Sequence, residues 1–472
     1  MIPVRSFEGK DVAVFGLGRS GIATCKALMA GGARVCAWDD NESARKAAEE
    51  AGVPMVDLNR RDWQMFAALV LSPGIPFRFP EPHRFVRLAQ MVGVPVIGDM
   101  ELFARALNEF KSVDRPRIVG ITGTNGKSTT TALIGHVLKV CGKDVRVGGN
   151  IGVGVLDLEK LHSEAIYVLE LSSYQLDLAE SLHCDVAVML NISPDHLSRH
   201  GGMDGYVGAK RRIFRNQGPD DYAIIGVDDI RSGVMSTQLT SEGLRRVIPI
   251  SAEYGLGRGV AVLEGMLQDS MAGRAEHPVD IRTAKALPGR HNHQNIAAAY
   301  AACRALGLDP PDILAAIGTF PGLPHRLENI GAIDGVRFIN DSKATNAQAA
   351  EQAIRAFPNA WWIVGGRPKE EGIDDLAPLF GQIRKAYLIG ESTEAFARTL
   401  TGKLEHSKCR TMDVAVLQAF EDARASGVEG AVVLFSPACA SFDQYRDFEQ
   451  RGLAFRQEAA NLVKRRSSTE IA

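Results

Sequence analysis

The segment GITGTNGKSTT, residues 120–130, has residue types and a spacing that suit phosphate binding. It follows an apolar run and precedes a segment with helical spacing, so we expect a strand, a glycine-rich turn and a helix start. The usual pattern would place its first glycine at 121, where this chain has Ile121. The alternative is a turn whose lysine is only solvated. The candidate phosphate loop consists of Gly123, Thr124, Asn125, Gly126, Lys127, Ser128 and Thr129.

A second glycine pattern lies near the amino end of the sequence. FGLGRSG has the GxGxxG spacing at Gly16, Gly18 and Gly21, and the next apolar run ends in WDD, which contains Asp39. This combination is typical of a dinucleotide or other nucleotide-diphosphate site. Tight packing of a strand against a helix also accounts for such glycines, so both interpretations stay open.

Polar side chains follow two further apolar runs. Glu170 ends a buried run in LELSSYQL, where a carboxylate is costly unless it meets a cation such as magnesium or a neighbouring lysine or arginine. NISPDHLSRHG brings Asn191, Asp195 and His196 into one predicted strand-end loop, although a lone histidine is often structural. Lys210, in YVGAKRRIF, is by itself most simply a solvated helix lysine.

The second half of the chain carries three more polar clusters. LPGRHNHQN places Asn292 and Asn295 just before a predicted helix, where the amides could read a base edge or cap the helix. SPACASFDQYRDFEQRG places Ser441 in a small-residue loop after a predicted strand. GLPHR and NDSKATN contribute Arg326, Asp341, Lys343 and Thr345.

Short apolar runs alternate with helical patterns along the whole chain, which predicts an α/β fold with mostly parallel sheets and flanking helices. The rhythm restarts twice, so we predict three domains at 1–97, 98–322 and 323–472. The less regular segment 255–285 is expected to form antiparallel strands at a sheet edge.

The bulk composition excludes several classes of protein. The 472 residues carry a net charge of -2, so there is no basic excess for nucleic acid binding. No apolar run approaches the ~20 residues of a membrane span. The seven cysteines are dispersed without a CxxC motif, which favours a reducing compartment. We therefore expect a cytoplasmic protein.

Taken together, the motifs resemble those of the Mur ligase family. GTNGKST, LELSSYQL, NISPDHL, LPGRHNHQN, HRLE and NDSKATN occur in the family's order over nearly the whole chain. The terminal stretches GLGRSG, SPGIP and SPACASFDQYRDFEQRG resemble the members that add D-glutamate. The resemblance implies a Rossmann-like UDP-sugar domain, a central phosphate-loop ATPase domain and a Rossmann-like amino-acid domain.

The resemblance also implies roles for individual residues around ATP and two Mg²⁺ ions. Ser128 and Glu170 resemble ligands of one ion, and His196 and Lys210 resemble ligands of the other, with Lys210 carbamylated by CO₂. The catalytic residues by this carry-over are Lys127, Asp195, His196 and Lys210. The ATP-binding residues are the seven of the phosphate loop with Asn292, Asn295, Arg326 and Asp341.

The two other sites follow from the same resemblance. The expected UDP-sugar residues are Gly18, Arg19, Ser20, Asp39, Asp40, Ser72, Pro73, Gly74 and Asn150. The expected amino-acid residues are Lys343, Thr345, Lys369, Ser441 and Phe448, which suit a substrate with two carboxylates. The implied substrates are UDP-N-acetylmuramoyl-L-alanine and D-glutamate, and the implied protein is a monomer.

The implied reaction is ATP-dependent amide formation through an acyl phosphate, with Asp195 or His196 as the general base. The nearest alternatives are a sister ligase and a folylpolyglutamate synthase. The DNPR tetrapeptide of the diaminopimelate- and lysine-adding ligases is absent. An NAD-dependent oxidoreductase using residues 11–40 and a non-catalytic ATP-binding module also stay open.

Overall fold

The computed structural model describes residues 1–111, 114–274, 276–368 and 372–469. Three β-sheets carry flanking helices, which confirms the predicted α/β fold. The chain forms two compact units, one made of 1–283 with 293–319 and the other of 284–292 with 320–472. Within the described residues, no helix combines the length and apolar character needed to cross a bilayer.

The first sheet has four parallel strands in the order β2-β1-β3-β4. Its first βαβ unit matches the predicted runs, because each strand is an apolar stretch that ends at a glycine or a polar residue. The strands are β1 Asp11–Phe15, β2 Arg34–Trp38, β3 Ala68–Leu71 and β4 Val96–Ile97. The helices are α1 Arg19–Ala30, α2 Glu42–Glu50, α3 Arg84–Met91 and α4 Asp99–Leu107.

The second sheet has nine strands in the order β13-β12-β11-β10-β9-β8-β5-β7-β6. Pairing is parallel from β6 to β11 and antiparallel at β11–β12 and β12–β13, which confirms the antiparallel edge predicted at 255–285. The strands are β5 Arg117–Thr122, β6 Val145–Gly149, β7 Ile166–Glu170, β8 Val186–Met189, β9 Tyr222–Gly226, β10 Arg246–Ser251, β11 Val260–Leu263, β12 Met266–Asp269 and β13 Val279–Asp280.

The helices that follow the strands of the second sheet begin close to their polar motifs. Five of them come between strands and two come after the last strand. They are α5 Lys127–Val140, α6 Ser173–Asp177, α7 Leu197–His200, α8 Met203–Arg211, α9 Ile230–Glu242, α10 Arg290–Ala305 and α11 Pro310–Gly318.

The third sheet has six strands in the order β14-β15-β19-β16-β17-β18, with only β14 antiparallel among the described strands. The strands are β14 Glu328–Ile333, β15 Val336–Asn340, β16 Ala360–Gly365, β17 Ile383–Ile389, β18 His406–Arg410 and β19 Val432–Phe435. The helices are α12 Ala347–Ala356, α13 Thr393–Leu400, α14 Met412–Ala425 and α15 Phe448–Thr469.

The central strands are apolar on both faces because helices cover both sides of each sheet. Trp361 and Trp362 show this on β16, since neighbouring residues point to opposite faces and yet both are buried in separate clusters. The first two sheets share one compact unit, so the predicted domain boundaries at 97 and 322 stay predictions.

Candidate active site

The predicted phosphate loop lies between β5 and α5, as its sequence indicates. Gly126 caps α5 with a φ of 84°, in the left-handed region, and a Cβ there would lie 2.3 Å from Oδ1 of Asn295. Gly123 has a φ of 150°, and a Cβ there would lie 3.0 Å from Leu190 Cβ. Glycine is therefore required at both positions, and the start of a helix such as α5 is a location that suits an anion.

The side chain of Lys127 folds back over the loop. Its ammonium donates to the carbonyl oxygens of Gly123 at 2.9 Å and Thr124 at 2.7 Å. This places the predicted phosphate-binding cation at the loop itself. Ser128, the next residue of α5, is buried.

Glu170 ends β7, next to β5, and is 3% exposed. Its Oε1 accepts from Nδ2 of Asn150 at 2.8 Å. Its Oε2 is buried and has no hydrogen-bond partner among the described residues. A buried carboxylate oxygen without a donor is costly, and a cation would satisfy it. The expectation that Asn150 serves the UDP-sugar stays a prediction, and the structure places its amide on Glu170.

Lys210 does not have the solvated side chain that its sequence context suggested. It is 2% exposed on α8, and its Nζ donates to the carbonyl of Gly123 at 2.7 Å and lies 4.8 Å from the ring centre of Tyr206. Burial, followed by repulsion from Lys127, lowers the pKa of Lys210 well below its usual value. The amine form, which is a nucleophile, is therefore favoured.

Asp195 and His196 lie in the loop between β8 and α7, as predicted. His196 has a φ of 51°, an unusual conformation for a residue other than glycine. Its Nε2 lies 3.5 Å from Oδ2 of Asp195, and its ring centre lies 5.2 Å from that of Tyr174. The two predicted catalytic side chains therefore lie together and are half exposed.

The asparagines of LPGRHNHQN lie inside α10 rather than before it, because the helix begins at Arg290. Asn295 is buried, and its Oδ1 accepts from Thr130 in α5 at 3.1 Å. In the other compact unit, Nδ2 of Asn292 donates to the carbonyl of Pro288 at 2.7 Å.

Two glycines of GLGRSG have different roles, because one is needed for packing and the other leaves the start of the helix accessible. A Cβ at Gly21 would lie 1.9 Å from the carbonyl oxygen of Gly16, so this glycine is needed for strand–helix packing. A Cβ at Gly18 would meet nothing within 4 Å, and Gly18 precedes α1 with its exposed Arg19 and neighbouring Ser20. The loop therefore retains an open helix start at the carboxyl edge of the sheet.

Asp39 is held by the protein backbone. Its two carboxylate oxygens accept from the amides of Leu17 at 2.6 Å and Asn41 at 2.8 Å. A dinucleotide fold of the NAD type uses the acidic residue at this place for a ribose hydroxyl. Each carboxylate oxygen can accept a second hydrogen bond, so Asp39 can still contact a ligand at this edge of the sheet.

The neighbouring Asp40 pairs with two residues that the sequence reading did not select. Arg84 donates to it at 2.5 and 3.0 Å, and His83 lies 3.4 Å away and stacks on Phe15. Ser72, in the SPGIP turn, donates its hydroxyl to the carbonyl of Gly16 at 2.7 Å. The turns after β1, β2 and β3, which carry residues predicted to bind the UDP-sugar, therefore meet at one edge of the sheet.

In the second compact unit, Asp341 follows β15 and is buried. It accepts from the Ser436 hydroxyl at 2.8 Å and the Leu327 amide at 3.2 Å. Burial raises the pKa of Asp341 to about 7, and the hydrogen bonds and the charge of Arg326 oppose the shift. The predicted residues Arg326 and Asp341 are therefore electrostatic neighbours.

Some of the residues predicted to bind the amino-acid substrate lie close together in the same unit. The Lys343 ammonium lies 3.8 Å from the ring centre of Phe448, and Ser342 donates its hydroxyl to the Phe448 carbonyl at 2.8 Å. Ser441 is buried in the loop after β19. Thr345 is half buried. Lys369 lies outside the described residues.

Three residues that contact the candidate site or its neighbouring loops were not predicted from the sequence. Tyr206 is buried and its hydroxyl lies 3.1 Å from Oγ1 of Thr124. Its spacing of four from Lys210 on α8 was the available signal. Gln294 bonds Asn191 at 3.0 Å, a pairing 103 positions apart. The third residue, Arg199, joins the loop of His196 to the SPGIP turn.

The polar side chains near the phosphate loop suit a hard cation that also takes ligands from water and phosphate. Within the described part of the chain, no group of three or more His, Cys, Asp or Glu side chains could hold a metal ion. Glu170 offers one buried oxygen without a hydrogen-bond partner among the described residues, and Ser128 belongs to the phosphate loop. Mg²⁺ usually takes few protein ligands and completes its shell with water and phosphate oxygens, so a sparse donor set is the expected one.

A phosphate loop at the start of α5, with buried polar groups at the ends of the adjoining strands, defines an α/β nucleotide-binding enzyme scaffold. A model of the Mur ligase middle domain matches residues 121–303, and a model of the Mur ligase glutamate ligase domain matches 325–439. The chain belongs to the Mur ligase family.

Its relatives and its fold agree with that assignment. The chain is 58% identical over 463 residues to UDP-N-acetylmuramoylalanine–D-glutamate ligase of Caulobacter vibrioides, with 98% of each chain covered. It is 49% identical to the ligase of the same name from Rhodospirillum rubrum, covering 100% of this chain and 98% of the relative. The UDP-N-acetylmuramate-alanine ligase MurC structure from Thermotoga maritima shares the fold, with a TM-score of 0.59, 20% identity and coverage of 98% and 99%.

A structure solved with a nucleotide also shares the fold. MurF ligase from Thermotoga maritima in complex with ADP has a TM-score of 0.53 and 19% identity, and the match covers 84% of this chain and 95% of that one. At this identity the likeness describes the fold alone.

Proposed function

We propose that this chain is an ATP-dependent ligase that joins D-glutamate to the alanyl carboxylate of UDP-N-acetylmuramoyl-L-alanine. The observation that carries the proposal is the meeting of three groups at one sheet edge, namely the phosphate loop, the unpaired Oε2 of Glu170 and the buried amine of Lys210. The names of the full-length relatives support the choice of substrates.

The phosphate serves to activate a carboxylate. A carboxylate is a poor acyl donor because its leaving group would be oxide. Transfer of the γ-phosphoryl group to a carboxylate oxygen breaks the bond to ADP and gives an acyl phosphate. The amine of D-glutamate then attacks the carbonyl carbon, loses a proton and expels phosphate, which leaves an amide.

The residues of the phosphate loop position the nucleotide for this transfer. The amides at the start of α5 and the ammonium of Lys127 offer positive charge at the loop. Bound Mg²⁺ supplies further neutralisation of the phosphate charge. Ser128 and Glu170 would hold one ion, and His196 with Lys210 would hold a second.

Lys210 must change its chemistry to serve a cation, because an ammonium repels Mg²⁺. Its neutral amine can attack CO₂, forming an N–C bond and releasing a proton to give a carbamate. Burial lowers the pKa of Lys210 well below its usual value, which favours the amine form that this reaction requires. A carbamate presents carboxylate-like oxygens, which a hard cation prefers.

The base that takes the proton from the attacking amine is Asp195 or His196. Their side chains lie 3.5 Å apart, so either can act with support from the other. Both come from the loop after β8, next to the phosphate loop.

The second compact unit carries the groups proposed for D-glutamate. Lys343 offers a cation for one carboxylate, and the Ser441 region offers polar groups for the other. Lys369 and Thr345 are proposed partners of the same substrate. A protein that works as a cytoplasmic monomer suits this chemistry, since both substrates are small molecules.

The test is phosphate release from Mg–ATP with UDP-N-acetylmuramoyl-L-alanine and each candidate amino acid in turn. We expect release that requires D-glutamate and is not supported by L-glutamate, L-lysine or diaminopimelate. Release with another amino acid would assign a sister activity. Release with a folate substrate would assign a folylpolyglutamate synthase, and no release with any of them would contradict the ligase.

A further inference from the structure

Arg199 joins two parts of the molecule that the proposed function assigns to different substrates. It lies in α7, three residues after His196, and contacts the SPGIP turn that follows β3. We propose that Arg199 is a positioning residue that couples occupation of the UDP-sugar site to occupation of the phosphate loop. This inference rests on the proposed function and adds a residue to it.

The first contact ties the guanidinium to the turn. Nη1 of Arg199 donates to the carbonyl oxygen of Gly74 at 2.9 Å. The same segment makes a second contact, because Gly201 lies against the ring of Phe79, where a Cβ would come within 2.6 Å of the ring. The end of α7 is therefore held on the loop that follows β3.

The second contact of Arg199 leads toward the phosphate loop through a series of neighbouring rings. The Arg199 guanidinium carbon lies 4.7 Å from the ring centre of Tyr174. The Tyr174 ring stacks on that of His200, with centres 5.5 Å apart and planes at 18°. The His200 ring meets that of Tyr206, again with centres 5.5 Å apart. The sequence of contacts thus reaches α8.

The last contact joins the stack to the nucleotide site. The Tyr206 hydroxyl lies 3.1 Å from Oγ1 of Thr124, within the phosphate loop. The same ring faces the Nζ of Lys210 at 4.8 Å. His200 is fixed within the stack by a 2.9 Å bond between its Nε2 and the Ser173 hydroxyl. A displacement at Gly74 therefore has a packed route to the phosphate loop.

Tyr174 also connects Arg199 to His196, one of the predicted catalytic residues. Its ring lies 5.2 Å from that of His196, and the backbone amide of Arg199 donates to the His196 carbonyl at 3.0 Å. Because His196 has a left-handed backbone, its position depends on such neighbours. Arg199 therefore positions His196 as well as the SPGIP turn.

Coupling between two sites is a reciprocal change in binding affinity. The test is titration calorimetry of the full chain with UDP-N-acetylmuramoyl-L-alanine, in the absence and presence of Mg²⁺ with β,γ-imido-ATP. For the unchanged protein we expect the nucleotide to lower the Kd of the UDP-sugar by about fivefold or more. Equal Kd values under both conditions would overturn the proposal.

The variants separate coupling from folding. Arg199→Ala should bring the ratio of the two Kd values close to one, and Tyr174→Ala should do the same. Tyr174→Phe keeps the ring face and should retain the ratio. Arg246→Ala is the matched control, since Arg246 also stacks on a tyrosine, with its guanidinium carbon 5.3 Å from the ring centre of Tyr222, away from the site.

The outcomes also separate this inference from the proposed function. If Arg199→Ala keeps the ratio of the two Kd values, the inference is wrong. Binding of the UDP-sugar by the unchanged protein would still agree with the proposed ligase. No binding of the UDP-sugar by the unchanged protein contradicts the proposed function itself. If Arg199→Ala does not fold, Arg199→Lys decides, because lysine can bond Gly74 but has no planar face for Tyr174, and a full ratio there would overturn the stacking route.

Discussion

Lys210 and Glu170 are buried polar groups whose cost to folding has a functional explanation. The Lys210 amine donates to a carbonyl and a hydroxyl, and one Glu170 oxygen has no hydrogen-bond partner among the described residues. A core selected for stability alone would place apolar or fully bonded groups at such positions. We infer that the bound state supplies what they lack.

The carbamate proposed for Lys210 can be tested directly. With carbon-13 CO₂, we expect a protein-bound carbamate signal in the NMR spectrum, because burial lowers the pKa of Lys210 and so favours the reactive amine form. The signal should be absent in Lys210→Arg, and ligase activity should fall by about a hundredfold or more because the guanidinium cannot form the carbamate that would hold the cation. The same signal in Lys210→Arg would place the carbamate elsewhere.

Asp341 gives a prediction for the pH dependence of stability. Its folded pKa is raised to about 7, so the folded state holds its proton more tightly than the unfolded state. The stabilising contribution is present in full at low pH and is lost as the pH rises through about 7. We expect Asp341→Asn to raise the free energy of unfolding at pH 8 by about 1 kcal/mol, with a smaller gain at pH 5.

Urea denaturation of both proteins at the two pH values tests this expectation. The amide can still accept from the Leu327 amide and donate to the Ser436 hydroxyl, so packing is preserved. A variant that loses stability equally at both pH values would show that the ionised carboxylate is not penalised.

At the scale of elements, the junction between β5 and α5 sets the phosphate site. We expect Gly126→Ala to destabilise the fold by about 2 kcal/mol and to abolish nucleotide binding, since its Cβ would collide with Asn295. The matched control is Gly142→Ala, with a similar φ of 75° but open space around the Cβ. It should cost about 1 kcal/mol and leave nucleotide binding intact. Equal losses in the two variants, measured by denaturation and calorimetry, would contradict the collision argument.

The apolar strands of all three sheets could be predicted from the sequence because each is a short buried run with polar or glycine ends. The strands that escaped prediction were of another kind. β4 has only two residues, β18 reads HSKCR, and β14 is largely exposed at a sheet edge. Tertiary pairing defines such strands, and a local pattern does not reveal it.

The residue types of the candidate site could be predicted from the sequence, but the contacts between its residues were harder to predict. Glu170 and His196 stood out because polar residues at strand ends suggest chemistry, and Lys210 was assigned a role by the family resemblance. The burial of Lys210 did not stand out, since a helix lysine is ordinarily solvated. Contacts such as Arg199 with Gly74, 125 positions apart, arise only when the first two sheets pack in one compact unit.

At the scale of the whole molecule, nucleotide binding should raise thermal stability. A ligand that binds only the folded state stabilises it by about 2.7 kcal/mol at a concentration of 100 Kd. We therefore expect Mg–ATP to raise the melting temperature of the protein. Lys127→Ala should lose most of this increase, whereas Lys139→Ala, at the other end of α5, should keep it. An equal increase in Lys127→Ala would remove that lysine from the phosphate site.

The central claim is that ATP activates the alanyl carboxylate of the UDP-sugar as an acyl phosphate. The most direct test uses UDP-N-acetylmuramoyl-L-alanine labelled with oxygen-18 in that carboxylate, together with Mg–ATP and D-glutamate. We predict that one labelled oxygen appears in the released phosphate, since the oxygen that receives the phosphoryl group leaves with it. Phosphate that carries no label, formed along with the amide product, would contradict the account.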